Sequence, residues 1–432
     1  MTQNGAGFDD ASCVLYYRAL RDGVPSNARQ IGYGVNKWPV SPALRDYFLR
    51  LYGVLFSDRM TEYDSAWDKD VRELIAWLAS EYLQVPGLDE SQVVLCHGTT
   101  EAISIACGFA ARRGLVPVLP LPVYYAFEQS AIRSGLGSPV YYDPHGRHVG
   151  EMPPQTAAML VDVAPNGVLG TWFRPPELMV GATAAGDQRA GYRHVLIDHV
   201  FSLPTFQPRD DFLAQLRGRV RAAPDHTVFL TPSKDFSLPG VRSGVMLTTN
   251  PDLVAHAQAD RFERGYAVHG GIGPIAAGHL AIVLLSFTDR REFSAMLRRI
   301  RAAFTRTALP FPAEEEIRSI LADGRESRSL FFRNLETLYE CDFLSSVAGA
   351  ETPAAGYSTF RWIEKDFGSP EIFTNWLNFV GRAGLKLNAN YLFGADPAIW
   401  EEVYPERYGI RLNISVSAEE MSANLALLRS AL

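Results

Sequence analysis

Thr231-Pro232-Ser233-Lys234-Asp235-Phe236-Ser237-Leu238-Pro239-Gly240-Val241-Arg242-Ser243-Gly244 follows an apolar run at 227–230 and closes on a glycine. A short apolar run bounded by turn-forming residues reads as a buried strand. Lys234 therefore stands at a strand exit ahead of a Gly-containing turn, where an amine is suited to form a Schiff base with a carbonyl. Arg242, eight residues on, suits a phosphate. The chain has only five lysines (Lys37, Lys69, Lys234, Lys365 and Lys386), so one falling inside this pattern carries weight against the plain alternative of a solvated surface lysine.

Outward from this stretch, apolar residues recur at helical spacing over 69–82 (Val71, Leu74, Ile75, Leu78, Tyr82) and over 100–112 (Ala102, Ile105, Ala106, Phe109). Short apolar runs at 92–96, 115–119, 158–163, 195–197 and 244–247 read as strands, with helical patterns between several of them. Buried strands alternating with helices imply an α/β fold with a mainly parallel sheet covered on both faces. After Phe287 the pattern changes to a charged helix over 289–307, a polar, acidic stretch at 314–326, strands at 358–363 and 409–414, and a closing helix from 418 capped by Ser417. This reads as a second, smaller α+β domain.

At 432 residues, 47% apolar and 21% charged, the chain is long enough for two or three domains. Its net charge of −7 and the lack of a basic run oppose nucleic acid as a partner. No basic region followed by an apolar stretch opens the N-terminus, and the most apolar run, 270–287, contains Pro274 and His279, so no membrane span and a cytoplasmic protein are expected. Cys13, Cys96, Cys107 and Cys341 show no CxxC spacing, and His145 with His148 lack a third ligand nearby, so neither a disulfide framework nor a metal site is expected.

The lysine stretch resembles the cofactor-lysine motif of fold type I pyridoxal-phosphate (PLP) enzymes, the aminotransferase class I/II family. There Ser-x-Ser-Lys precedes Gly-x-Arg-x-Gly, and Thr231 takes the place of the first serine. The resemblance implies a large domain with a seven-stranded-type sheet, the segmentation 1–49, 50–288 and 289–432, and PLP as cofactor on Lys234. Gly98-Thr99-Thr100-Glu101 is similar to the family's phosphate turn, which would share the phosphate with Thr231, Ser233 and Arg242. Tyr124, in Pro122-Val123-Tyr124, takes the place of the ring that lies against the pyridine. Asp198 takes that of the acid facing the pyridine nitrogen, where a carboxylate keeps the nitrogen protonated. Tyr63 resembles the tyrosine that reaches a neighbouring subunit's phosphate, and with residues 269–271 implies a homodimer. Arg411, in Arg411-Leu412-Asn413-Ile414-Ser415, resembles the arginine that grips a substrate α-carboxylate, while Tyr33 and Gly34 resemble the segment that covers the substrate. Trp172 and residues 390–394 border it by position alone.

Two places depart from the family pattern. In Asp198-His199-Val200-Phe201, His replaces Glu and Phe201 replaces a tyrosine whose hydroxyl would bond the cofactor's phenolic oxygen. In Ala164-Pro165-Asn166-Gly167, an ungapped alignment puts the asparagine that bonds the same oxygen on Gly167, with Asn166 one position early. Weaker bonding to that oxygen should raise the pKa of the Lys234 imine, because the phenolate's hydrogen bonds favour the unprotonated form. The expected function is thus an aminotransferase-like reaction on an L-α-amino acid in specialised metabolism. A PLP lyase, cyclase or β/γ-replacement enzyme is the nearest alternative, and a non-catalytic PLP-binding or regulatory protein is a second.

Overall fold

The computed structural model describes residues 28–432 except 33, 57–65, 138, 150–156, 177–191, 224, 265–271, 348–351 and 395–396. Its strands, in chain order, are β1 (Arg29–Gln30), β2 (Val93–Cys96), β3 (Val116–Pro120), β4 (Val140–Tyr142), β5 (His148–Val149), β6 (Ala158–Val163), β7 (Tyr192–Asp198), β8 (His226–Leu230), β9 (Gly244–Thr248), β10 (Leu344–Ser346), β11 (Ser358–Ile363), β12 (Leu385–Lys386), β13 (Asn388–Ala389) and β14 (Gly409–Asn413). The chain divides into two compact units, one of Met1–Lys37, Ala110–Arg193 and Arg328–Leu432, the other of Trp38–Phe109 and His194–Ser327. These cuts differ from the segmentation expected from the sequence.

In the second unit the strand order is β2-β9-β8-β7. β7 and β8 are parallel, whereas β9 runs antiparallel to both β8 and β2. The helix Ala66–Leu83, expected from its apolar stripe, packs against Ile272–Ser286. That second helix is the apolar run noted in the sequence, and all its residues up to Leu285 are buried. A helix apolar on every side belongs inside a core, where each fully buried Leu or Ile contributes roughly 1.5–3 kcal/mol. Among the described residues no helix is long and apolar enough to cross a membrane.

In the first unit β6, β3 and β4 are parallel neighbours, and β5 adds two residues antiparallel to β4. This short strand extends the seven-stranded type that the family resemblance implies. A separate antiparallel sheet, β10-β11-β14-β13, carries Arg411 on β14. The stretch read as merely polar and acidic folds as the helix Glu314–Tyr339, with Glu314, Glu315 and Glu316 in its first turn, where negative charge favours the helix dipole. The closing helix Ala418–Ser430 starts at Ser417, whose hydroxyl accepts from the Glu420 amide at 3.1 Å.

Candidate active site

β2, β7 and β8 all run one way, so their carboxyl ends meet at one edge of the second unit's sheet. The register shows this: Asp198 pairs with Phe229, Leu230 with Val245, and Cys96 with Gly244. Because β9 runs the other way, it begins at that same edge, and the residues leading into it, Arg242 and Ser243, join the group. Ligands of α/β sheets bind outside the carboxyl ends of strands.

Thr231 ties the two ends of the lysine loop together. Its hydroxyl donates to the Ser243 carbonyl at 2.6 Å, accepts from the Ser233 amide at 3.2 Å, and so caps the single helical turn Pro232–Asp235 that carries Lys234. Ser233 is buried beside it, with the two hydroxyl oxygens 2.9 Å apart.

Arg242 adopts a left-handed backbone (φ 52°), and its guanidinium donates to the His97 carbonyl at 3.1 Å. This brings it against Gly98, also left-handed (φ 76°), where a Cβ would lie 2.9 Å from the Arg242 Nη2. Gly244 is equally confined, since a Cβ there would meet the Gly98 carbonyl carbon at 2.8 Å. Only glycine lets these backbones approach so closely. Directly after Gly98 the helix Thr99–Arg112 begins, so unpaired amides, the positive helix end, the half-buried Thr99 and Thr100, and the Arg242 cation gather within one turn. Glu101 is drawn away from it: its carboxylate accepts from the His97 amide at 2.5 Å and lies 3.8 Å from the Arg261 guanidinium.

Asp198 ends β7 with 3% of its surface exposed, and its buried Oδ1 has no hydrogen-bond partner. Burial pushes its carboxyl up to about 7, against a pull downward from the Lys234 amine. His199 turns into the interior instead, its Nε2 lying 2.9 Å from the Tyr82 hydroxyl and 3.1 Å from the Ser202 hydroxyl. Phe201 is buried and offers no donor.

A second cluster lies in the first unit. Arg411 donates through Nε to the Gly32 carbonyl at 3.0 Å, and its guanidinium carbon sits 4.8 Å from the centre of the Phe393 ring. A Cβ at Gly34 would come within 2.8 Å of the guanidinium, and the Tyr357 hydroxyl holds the Gly34 carbonyl at 2.6 Å. Burial lowers the Arg411 pKa, opposed by Tyr357, Tyr124 and Tyr125, and no acidic side chain pairs with it among the described residues. Tyr124 is half-buried, its ring 4.6 Å from that of Tyr125 at the start of the helix Ala126–Arg133.

Asn166 is committed to its own surroundings, with Nδ2 donating to the Pro122 carbonyl at 2.7 Å and Oδ1 accepting from the Val168 and Leu169 amides. Its amide braces two turns. Asn390 is buried with its Nδ2 unpartnered. Tyr33, Tyr63 and 269–271 lie outside the described residues. Phe393 falls within 390–394, the stretch expected at the substrate by position alone, whereas sequence reading missed Tyr357 beside Arg411 and the packing of Gly244 against Gly98, for which the two glycines of Gly240-Val241-Arg242-Ser243-Gly244 were the one available signal.

The sequence matches the model of the family described as aminotransferase class I and II over residues 55–310, more than half of the chain. The chain belongs to this family. A search of curated proteins found no match. Among solved structures, this aminotransferase-family chain is similar to an alanine aminotransferase from Pyrococcus furiosus (TM-score 0.64, 16% identity, 98% of this chain and 96% of that one). It is also similar to two proteins of Thermus thermophilus, a probable N-succinyldiaminopimelate aminotransferase (0.63, 14%, 98% and 100%) and an aspartate aminotransferase with maleate (0.61, 14%, 98% and 96%). At these identities the structural likeness establishes the fold.

Members of the family depend on PLP, and the chain is a PLP-dependent transferase. The second unit's residues fit that group: a buried carboxylate oxygen without a partner for a ring N–H, an amine one strand away, and a cationic turn, shaped by two glycines, for a phosphate.

Proposed function

We propose that the protein carries out an aminotransferase-like reaction on an L-α-amino acid, in specialised metabolism. The observation that carries this reading is Asp198, a carboxylate held in the interior with one oxygen unpartnered, on the strand next to the one that leads into Lys234. Bound PLP supplies an aldehyde that condenses with amines and a ring that accepts electrons from a breaking Cα bond. Asp198 would hold the proton on the ring nitrogen. The amine of Lys234 would take and return the proton at the substrate Cα. Arg242, Gly98, Thr99, Thr100, Thr231 and Ser233 would hold the phosphate, and Tyr124 would flank the ring.

For the substrate, Arg411 is a half-buried cation with no carboxylate paired to it among the described residues, which suits an incoming α-carboxylate through a two-pronged contact. A charge-assisted bond of this kind contributes about 1.5–3 kcal/mol. Phe201 and the commitment of Asn166 support a second reading, a PLP lyase, cyclase or replacement enzyme, because both weaken the usual donors to the cofactor's phenolic oxygen. The two readings separate when the PLP-loaded protein is mixed with a panel of amino acids. Conversion to an amine form that a keto acid reverses supports transamination, whereas release of a side-chain group supports the second reading.

We also infer a cytoplasmic homodimer with the segmentation 1–49, 50–288 and 289–432. Leu49, Tyr52, Phe56 and Phe262 are exposed apolar residues of the second unit that support a partner surface. A monomeric mass by light scattering would remove the dimer.

A further inference from the structure

Asp235, the residue after Lys234, is buried and fully engaged. Its Oδ1 accepts from the Ser202 amide at 2.8 Å and the Leu203 amide at 3.0 Å, and its Oδ2 lies 2.8 Å from the Nε2 of His279. Both side chains are almost wholly withdrawn from solvent, at 1% and 2% exposure. His279 belongs to the apolar helix Ile272–Ser286, where a polar side chain is out of keeping, and the Phe236 ring closes over it edge-on at 5.3 Å. Phe236 in turn packs on Phe48 at 5.9 Å.

Burying a carboxylate and an imidazole costs several kcal/mol before their contact offsets it, and a well-packed apolar pair would hold the core as well or better. What a polar contact adds is direction. The two amides that Asp235 accepts from belong to the segment that leaves β7 just after Asp198. One carboxylate therefore fastens three elements: the turn carrying Lys234, the segment following Asp198, and the helix Ile272–Ser286. Lys234 and Asp235 share a single helical turn, so rotation of the lysine backbone would break all three bonds.

We propose that Asp235 and His279 are positioning residues that fix the Lys234 amine relative to the Asp198 carboxylate. The proposal rests on the reading of Lys234 as the cofactor lysine. Neither residue touches the reacting atoms; they act through the backbone of the turn.

The test uses His279→Leu, the conservative His279→Gln, which keeps a donor near the Nε2 position, and the shape-preserving Asp235→Asn. In the cofactor-free full-length protein, amide hydrogen exchange over 199–203 and 233–237 is compared with that over the distant strand β11. With His279→Leu the first two segments should exchange about tenfold faster while β11 is unchanged. The visible band that appears on adding PLP should form about tenfold more slowly, and His279→Gln should restore both readings to within about threefold. Should His279→Leu loosen β11 as well, Asp235→Asn decides: faster exchange confined to the two segments supports the proposal. Wild-type exchange and band formation in Asp235→Asn overturns it, as does a His279→Gln variant no better than His279→Leu. Borohydride reduction followed by peptide mass analysis separates the two readings. Wild type with no cofactor fixed on Lys234 removes the cofactor reading and this proposal together, whereas wild type fixed on Lys234 with indifferent variants removes this proposal alone.

Discussion

Two buried aspartates in one unit, Asp198 at the end of β7 and Asp235 in the turn after β8, meet opposite circumstances. Asp235 has a donor at each oxygen, whereas Asp198 keeps a buried oxygen without one, and its carboxyl is pushed up to about 7. The same side chain, buried in both places, is scaffold in one and unfinished in the other. An unfinished buried charge costs the folded state unless a ligand completes it. Stability is given up at Asp198 for a binding capability, while Asp235 is arranged so that the turn stays rigid when the ligand comes and goes.

The contrast breaks most sharply at Lys234. Lys234→Ala should abolish cofactor fixation by borohydride and lower amino-acid turnover by about 10³-fold or more, read by product analysis. Retained turnover would leave Asp198 without the partner that gives its position meaning. Next comes Arg411, a half-buried cation with no ion-pair partner among the described residues. Arg411→Leu should raise the half-saturating concentration of the amino acid by about 10²-fold, and Arg411→Lys should recover only part of that, because an ammonium lacks the planar fork.

Stability against pH sharpens the comparison of the two aspartates. The folded-state pKa of Asp198 is raised from 3.8 to about 7, so the folded chain binds more protons than the unfolded one between these values. Its contribution is fully present below about pH 4 and is lost as pH rises through about 7, a difference on the order of 4 kcal/mol. Denaturant melts of the cofactor-free protein should therefore weaken between pH 5 and pH 8. Asp198→Asn should flatten that slope, and PLP should flatten it in wild type. The smallest effect is expected at Phe201. Phe201→Tyr supplies a hydroxyl and should lower the midpoint of the visible spectral titration of the PLP-loaded protein by about one pH unit or less.

Periodicity made the second unit's frame legible, because its core elements keep one pattern from end to end. The helix over 69–82 is found as Ala66–Leu83, and the strand at 227–230 as His226–Leu230. The helix Glu314–Tyr339 was hidden behind its charge: the acidic opening reads as a solvated loop unless the apolar Ile317, Ile320, Phe331 and Leu335 further along are weighed with it. At the candidate site the motifs located Lys234, Asp198, Gly98 and Arg242 on one edge of the sheet. What they could not reveal is how a side chain is satisfied. Asn166 and Asp235 are both bonded chiefly by main-chain groups, and main-chain partners leave no trace in residue identity.

Gly244, at the start of β9, packs on the backbone of Gly98, and Gly98 in turn packs under the Arg242 guanidinium: a methyl on Gly244 would lie 2.8 Å from the Gly98 carbonyl carbon, and one on Gly98 would lie 2.9 Å from the Arg242 Nη2. A survey of every single substitution along the chain should find both positions intolerant, Gly244 because backbone atoms fill the space and Gly98 because of its left-handed φ beside the Arg242 side chain. Gly244 cannot be relieved by changing Gly98, which already carries the smallest residue there is. Evolution can alter what this cup recognises only by editing its rim.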